Sequence, residues 1–179
     1  MQTHIKQPST DQMQDKELMR LLGLGGSTAS SIIRLASSKK DLKELLPVLN
    51  SACSGLSFCQ VFDPLAIIDE AHLQLAYLNA KAAFEEDRNM SKSMQIEMLL
   101  FAAMTRQINE AIRIAGAKSS KKMLLFCSDK KTFDKIKPNF YAFEEFRPSP
   151  AHSKSAMAAL GIKSKEQMSN AIALTGLQV

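Results

Sequence analysis

The sequence predicts an α/β fold: a single mixed sheet with helices packed on it, and two long adjacent alanine-rich helices in the middle of the chain. Three observations carry this. Segments with apolar residues at helical spacing alternate with short apolar runs along the chain. One run, Met123-Leu124-Leu125-Phe126-Cys127, is continuous and flanked by lysines, as in a strand buried on both faces. Between about residues 69 and 115, alanines recur at helical spacing and permit close helix packing.

The elements follow in order. Ser9 to Leu22 opens on the capping-box pattern Ser9-x-x-Gln12 and ends before Gly23, so it reads as a short helix. Residues 1–27 are expected to be an N-terminal extension, and residues 28–179 a single α/β domain. Gly23-Leu24-Gly25-Gly26-Ser27 has neither a preceding apolar strand nor a following Gly-Lys-Ser/Thr, so the chemistry of a phosphate-cradling loop is missing. Ser30 to Ala36, with Ile32, Ile33 and Leu35, reads as a strand. Lys40 to Leu49 sets Leu42, Leu45, Leu46 and Leu49 on one helical face, and Leu56 to Phe62 is a second strand closed by Asp63-Pro64. The first long helix runs from about Asp69 to Phe84. The second runs from about Ser93 to Ala115, with Ile96, Leu99, Leu100, Ala103, Ile108, Ala111, Ile112 and Ala115 as a wide stripe and Gly116 as its stop. Lys121 to Ser128 is the candidate central strand. A short helix through Phe133 and Ile136 ends before Pro138, and Phe140 to Phe146 reads as a further strand. The end is helical: Ala151 to Leu160, stopped by Gly161, then Ser164-x-x-Gln167 leading into Met168, Ala171, Ile172 and Leu174.

Composition narrows the class. With 179 residues the chain can bury roughly 70% of its unfolded surface in one core, so it needs no disulfide or metal to fold. No apolar run approaches the ~18–20 residues of a membrane span, and the polar start has no apolar signal core, which predicts a cytoplasmic protein without a membrane partner. Cys53, Cys59 and Cys127 are an odd set without Cys-x-x-Cys spacing, so they read as buried thiols. Charge is uneven: residues 1–90 hold 9 basic and 11 acidic side chains, a net of −2, whereas residues 91–179 hold 14 and 7, a net of +7. Such asymmetry points to a polyanionic partner.

No catalytic constellation emerges. His4, His72 and His152 form no metal-ligand pair, and neither a metal nor any cofactor is expected. His72, in the first turn of an apolar helix beside Asp69 and Glu70, reads as structural or capping, with a binding role as the alternative. Glu144-Glu145 and Glu85-Glu86-Asp87 are adjacent residues whose side chains diverge, so they read as solvated surface. The positive signal is electrostatic. Lys118, Lys121, Lys122, Lys130, Lys131, Lys135 and Lys137 fall within twenty residues that hold only Asp129 and Asp134 as acids, the charge a phosphate backbone attracts. A soluble lysine-flanked strand is the plainer reading. Arg106 and Gln107 interrupt the second long helix with a fork donor and an amide able to meet phosphate or a base edge; an Arg106–Glu110 surface pair is the structural alternative.

The two long helices carry a recognisable pattern: His72-Leu73-x-x-Ala76-x-x-x-Ala80-x-x-Ala83-Phe84, then Met90-Ser91-Lys92-Ser93-Met94-x-Ile96-Glu97-x-Leu99-Leu100-Phe101-Ala102, then Arg106-Gln107-Ile108-Asn109-Glu110-Ala111-Ile112 and Gly116. From about Ile67 to Lys118 this resembles the small kinase-binding, tRNA-binding subunit of the KEOPS complex. Where that family usually has Ser-Gly, this chain has Ala103-Met104, then Thr105. The resemblance implies a non-enzymatic adaptor that grips tRNA, chiefly its single-stranded 3′ CCA end. It also implies docking on, and stimulation of, the atypical kinase/ATPase subunit, in support of threonylcarbamoyl-adenosine formation beside the anticodon. It implies that Arg106 contacts phosphate or base and that Gln107 hydrogen-bonds a base, with Ser91 and Lys92 lining the same face; Lys118, Lys121 and Lys122 are added from charge. Kinase docking is expected at Met157, Leu160, Ile162 and Ile172, for which core packing is the alternative. The competing classes are a protein-only kinase-activating module without RNA binding, and an enzyme with convergent titratable groups in a pocket around His72, Cys59 or Cys127.

Overall fold

The computed structural model describes residues 31–53 and 58–177. The helix expected over Ser9 to Leu22, the glycine-rich stretch after it and the 1–27 extension therefore lie outside the described residues. Among the described residues four strands form one sheet: β1 (Ile32–Ser37), β2 (Cys59–Phe62), β3 (Met123–Cys127) and β4 (Ala142–Glu145), in the order β2-β3-β1-β4. Among the described residues seven α-helices accompany it: α1 (Leu42–Ala52), α2 (Glu70–Glu85), α3 (Met94–Ala103), α4 (Ile108–Ala115), α5 (Lys130–Ile136), α6 (Pro150–Ala159) and α7 (Lys165–Thr175). The α/β class holds, but every strand pairing is antiparallel, where a mixed sheet was expected. The reason is topological. The helical crossover through α1 returns β2 parallel to β1, and β3 then inserts between the two, so no parallel pair touches.

β3 is buried at all five positions because both faces of the sheet are covered. Leu124 and Phe126, with Ile33, face a core shared with α2, α3, α4, α6 and α7; Met123, Leu125 and Cys127 face Leu45 and Leu49 of α1 and Ile136 of α5. Alternating side chains of one strand thus serve two cores, which is why its sequence reads as an unbroken apolar run.

On the thicker side, α2 buries Leu73, Ala76, Ala80 and Ala83, while α3 is buried at every position from Glu97 to Ala103. The alanines remove side-chain bulk between the helices, so α3 sits as the central rod of this layer. The continuous helix expected from Ser93 to Ala115 is instead two helices. Met104 takes the left-handed conformation (φ 52°, ψ 41°), and the chain turns through Thr105, Arg106 and Gln107 before α4. The Met104 N–H bonds to the Phe101 carbonyl and the Thr105 N–H to the Leu100 carbonyl, each at 3.1 Å, the paired closure of a Schellman motif in which glycine is the usual residue.

That break re-phases the helix. An unbroken helix would have kept Ile108 and Ile112 on the inward stripe of α3. In α4 it is Ala111 and Ala115 that are fully buried, whereas Ile108 and Ile112 are 43% and 45% exposed.

Candidate functional site

Two buried polar groups fix the two ends of α3. At its start the Glu97 carboxylate, fully buried, accepts the backbone N–H groups of Met90 (3.0 Å) and Ser91 (2.8 Å). A buried carboxylate is tolerated where such donors replace its water. At its other end His72 of α2, also fully buried, accepts from the Ile68 N–H at Nδ1 (3.2 Å) and donates from Nε2 to the Ala102 carbonyl (3.0 Å). This arrangement requires the neutral ring, and burial pulls its pKa down to about 4. His72 is therefore a structural brace, holding Ala102 two residues before Met104 turns the chain out of α3.

The brace delivers Arg106 and Gln107 to the surface; both are exposed. The Arg106 guanidinium donates from Nη1 to the Leu177 carbonyl at 2.8 Å. Glu110 is not its partner, since that carboxylate pairs with Arg113 at 2.6 Å. The Gln107 backbone N–H donates to Thr105 Oγ1 at 3.3 Å. Beyond this junction α4 shows an outer face of Ile108, Asn109, Ile112 and Arg113. Ile108, Ile112 and Arg113 were not among the residues expected at the site. Their signal was available in the spacing of Ala111 and Ala115, which leaves the isoleucines outward once α4 packs on its alanines.

The other expected contacts are distributed differently. Ser91 and Lys92 lie before α3 and Arg106 after it, so the ten residues of the helix separate them by about 15 Å along its axis. Ser91 is 8% exposed, its hydroxyl donating to the Ser93 carbonyl at 2.7 Å, whereas Lys92 is exposed. Lys118 closes the far end of α4, its Nζ donating to the carbonyls of Arg113 (2.6 Å) and Ile112 (3.0 Å), a charge-assisted C-cap. Lys121 and Lys122 are exposed at the entry to β3.

Among the apolar residues of the C-terminal helices, core packing is the reading the structure follows for Ile162 and Ile172. Ile172 (0% exposed) and Ile162 (8%) are core residues, and Met157 and Leu160 are half-buried against the same core. Met168, Ile172 and Thr175 form the inward stripe of α7, so the outward apolar residues there are Leu174 (62% exposed) and Leu177 (53%).

Among the described residues, clefts open to solvent lie away from the α3–α4 junction. One of about 520 Å³ is lined by Asp134, Lys137, Pro138, Phe140, Tyr141, Ala142 and Phe143. Another, about 260 Å³, lies by Lys122, Arg147 and His152. Neither of these clefts is lined by His72, Cys59 or Cys127. Among the described residues no group of three His, Cys, Asp or Glu is placed to hold a metal, and no helix is long and apolar enough to cross a membrane.

The family described as Kinase binding protein CGI-121 matches residues 36–153, from the end of β1 into α6 and more than half of the chain. The chain belongs to the CGI-121 family. A relative named Regulatory protein Cgi121, from Methanocaldococcus jannaschii, is 37% identical over 82 residues. That alignment covers 46% of this chain and 52% of the relative, so the chain matches about half the length of this curated protein. The matched region contains the α3–α4 junction with Arg106 and Gln107. It ends before α7, so Leu174 and Leu177 lie outside it.

Proposed function

We propose that this CGI-121 family protein is a non-catalytic KEOPS subunit that grips the 3′ CCA end of tRNA while docking on, and stimulating, the atypical kinase/ATPase subunit. In that role it supports threonylcarbamoyl-adenosine modification beside the anticodon. The observation that carries the RNA reading is the α3–α4 junction: Arg106 and Gln107 face solvent beside exposed Ile108 and Ile112. An unpaired strand end offers bases that can lie on apolar side chains and phosphates that seek a guanidinium. Arg106 spends one donor on Leu177 and keeps the rest of its fork available. Arg113 and Lys118 extend positive charge along α4, and Lys121 and Lys122 continue it toward β3. The kinase reading rests on the family, with the exposed Leu174 and Leu177 as the apolar contact.

The test is a titration with tRNA and with tRNA lacking its 3′ CCA. Binding at low salt that weakens on removal of those nucleotides supports the reading. Arg106→Ala should then cost about 1–3 kcal/mol of affinity and leave the unfolding midpoint unchanged. Binding indifferent to the CCA end, or absent at low salt with kinase binding intact, would leave the protein-only module as the function.

A further inference from the structure

Away from the α3–α4 junction the fold brings all three cysteines to one place. Cys53 follows the last residue of α1, Cys59 is the first residue of β2, and Cys127, the last residue of β3, pairs directly with Cys59 across the ladder. The Cys53 and Cys59 sulfurs are 2.9 Å apart. The sequence separates them by only five residues, and antiparallel pairing places Cys127 behind them. Exposure grades across the cluster: Cys53 is half-buried, Cys59 is 1% exposed and Cys127 is sealed at 0%.

We propose that Cys53 and Cys59 are a reactive dithiol, a site of reversible oxidation at which a peroxide converts the pair to an intramolecular disulfide while Cys127 stays reduced. The two thiols occupy distinct roles. Cys53 is the one solvent can reach, and the backbone N–H of Cys59 donates to its sulfur at 3.1 Å. The Cys59 thiol hydrogen bond, helped by that amide and by Lys135, holds the Cys53 pKa below the ordinary thiol value against the opposing effects of burial and Asp129. Cys59 moves the other way: its hydrogen bond with Cys53 and its burial keep it a thiol. Cys127 is likewise pushed up, by burial first.

The chemistry balances in two displacements. The Cys53 thiolate attacks a peroxide oxygen; the O–O bond breaks, an S–O bond forms, and the leaving alkoxide or hydroxide takes the proton the thiol gave up. The Cys59 sulfur then attacks the Cys53 sulfenic sulfur; the S–S bond forms, the S–O bond breaks, and the hydroxyl leaves as water with the Cys59 proton. Two electrons pass from the dithiol to the peroxide, giving one disulfide, one alcohol or water, and one further water. The sulfurs need approach by only about 0.9 Å to reach bonding distance. The bond ties the C-cap of α1 to the edge strand β2, and any dithiol reductant reverses it.

The full chain, reduced and then treated with hydrogen peroxide, is alkylated with iodoacetamide, digested with trypsin and weighed. Both Cys53 and Cys59 fall in the tryptic peptide 44–81 and Cys127 in 123–130. The expected result is peptide 44–81 short of two hydrogens and closed to alkylation until dithiothreitol is added, with 123–130 alkylated as before. Cys53→Ser should slow oxidation of Cys59 by ~10-fold or more. Cys59→Ala should leave a dimedone-reactive sulfenic acid on Cys53, and Cys127→Ala should oxidise as the unmodified protein does. Both cysteines still open to alkylation, a cross-link to peptide 123–130, over-oxidation of Cys53 with Cys59 untouched, or an unchanged rate in Cys53→Ser would each overturn the proposal.

Discussion

Lowering the pH should loosen the brace between α2 and α3 before it affects most of the fold. His72 is fully buried and neutral, accepting from the Ile68 N–H and donating to the Ala102 carbonyl. Its pKa is about 4 in the folded protein against 6.5 for a free imidazole, with burial as the leading cause. The unfolded chain therefore binds a proton between those two values while the folded protein does not, so stability rises with pH across that window and is lost as pH falls. The slope is about 1.4 kcal/mol per pH unit, and the full window of about 2.5 units caps the loss at roughly 3 kcal/mol. The assay is urea unfolding at closely spaced pH values from 7 to 4 for the unmodified protein and for His72→Gln. The glutamine keeps a donor for Ala102 and cannot titrate. Carboxylates elsewhere contribute equally to both proteins, so the difference between the two curves isolates the imidazole. The variant should be the less stable at pH 7, having lost the acceptor for Ile68, and the gap should shrink as pH falls toward 4. Parallel curves across that range would show that the ring does not titrate as argued, and the neutral-brace account would fail.

Substitutions at four further positions probe the same scaffold. Glu97→Ala strands two backbone donors, those of Met90 and Ser91, one of them buried, and should cost about 3–5 kcal/mol in chemical denaturation. Met104→Val places a β-branched side chain at φ 52° and should cost about 1–2 kcal/mol, while Met104→Asn, which tolerates that conformation, should cost less. Ile172→Ala, in the core, should lower stability by about 2–5 kcal/mol. Leu174→Ala, 62% exposed on the same helix, should leave unfolding within about 0.5 kcal/mol and show its effect in kinase binding measured by calorimetry.

Legibility followed the reach of the interaction involved. Local signals read true: Ser164 caps α7 by accepting from the Gln167 N–H at 3.1 Å, Gly161 ends the turn after α6 with φ +70°, and the unbroken run at Met123–Cys127 is the strand buried on both faces. What failed depended on residues far apart in sequence. Strand direction could not be read because β3, arriving some sixty residues after β2, decides which strands touch. Ile172 and Leu174 look alike in sequence, and only the docking of α7 on α2 and α3 makes one core and the other surface. The break at Met104 had a different obscurity. Arg106 and Gln107 mark a polar interruption, but nothing about a methionine announces a left-handed residue. An uninterrupted apolar period thus carried Ile108 and Ile112 into an imagined core.

The same break explains why a scaffold so thoroughly packed can present a polar grip at all. A helix buried from Glu97 to Ala103 has no room for a guanidinium on its flanks, so cations can appear only where it stops. His72 holds the Ala102 carbonyl, Met104 turns the chain out of the helix, and Arg106 emerges two residues later with its guanidinium bonded to the Leu177 carbonyl. That last bond takes a single N–H of a planar fork with five, leaving donors for an anion without releasing Leu177. Lysine at this position would be a flexible point charge and lose that division of labour. Arg106→Lys is for this reason expected to behave nearer to Arg106→Ala than to the unmodified protein in tRNA binding, even though net charge is retained.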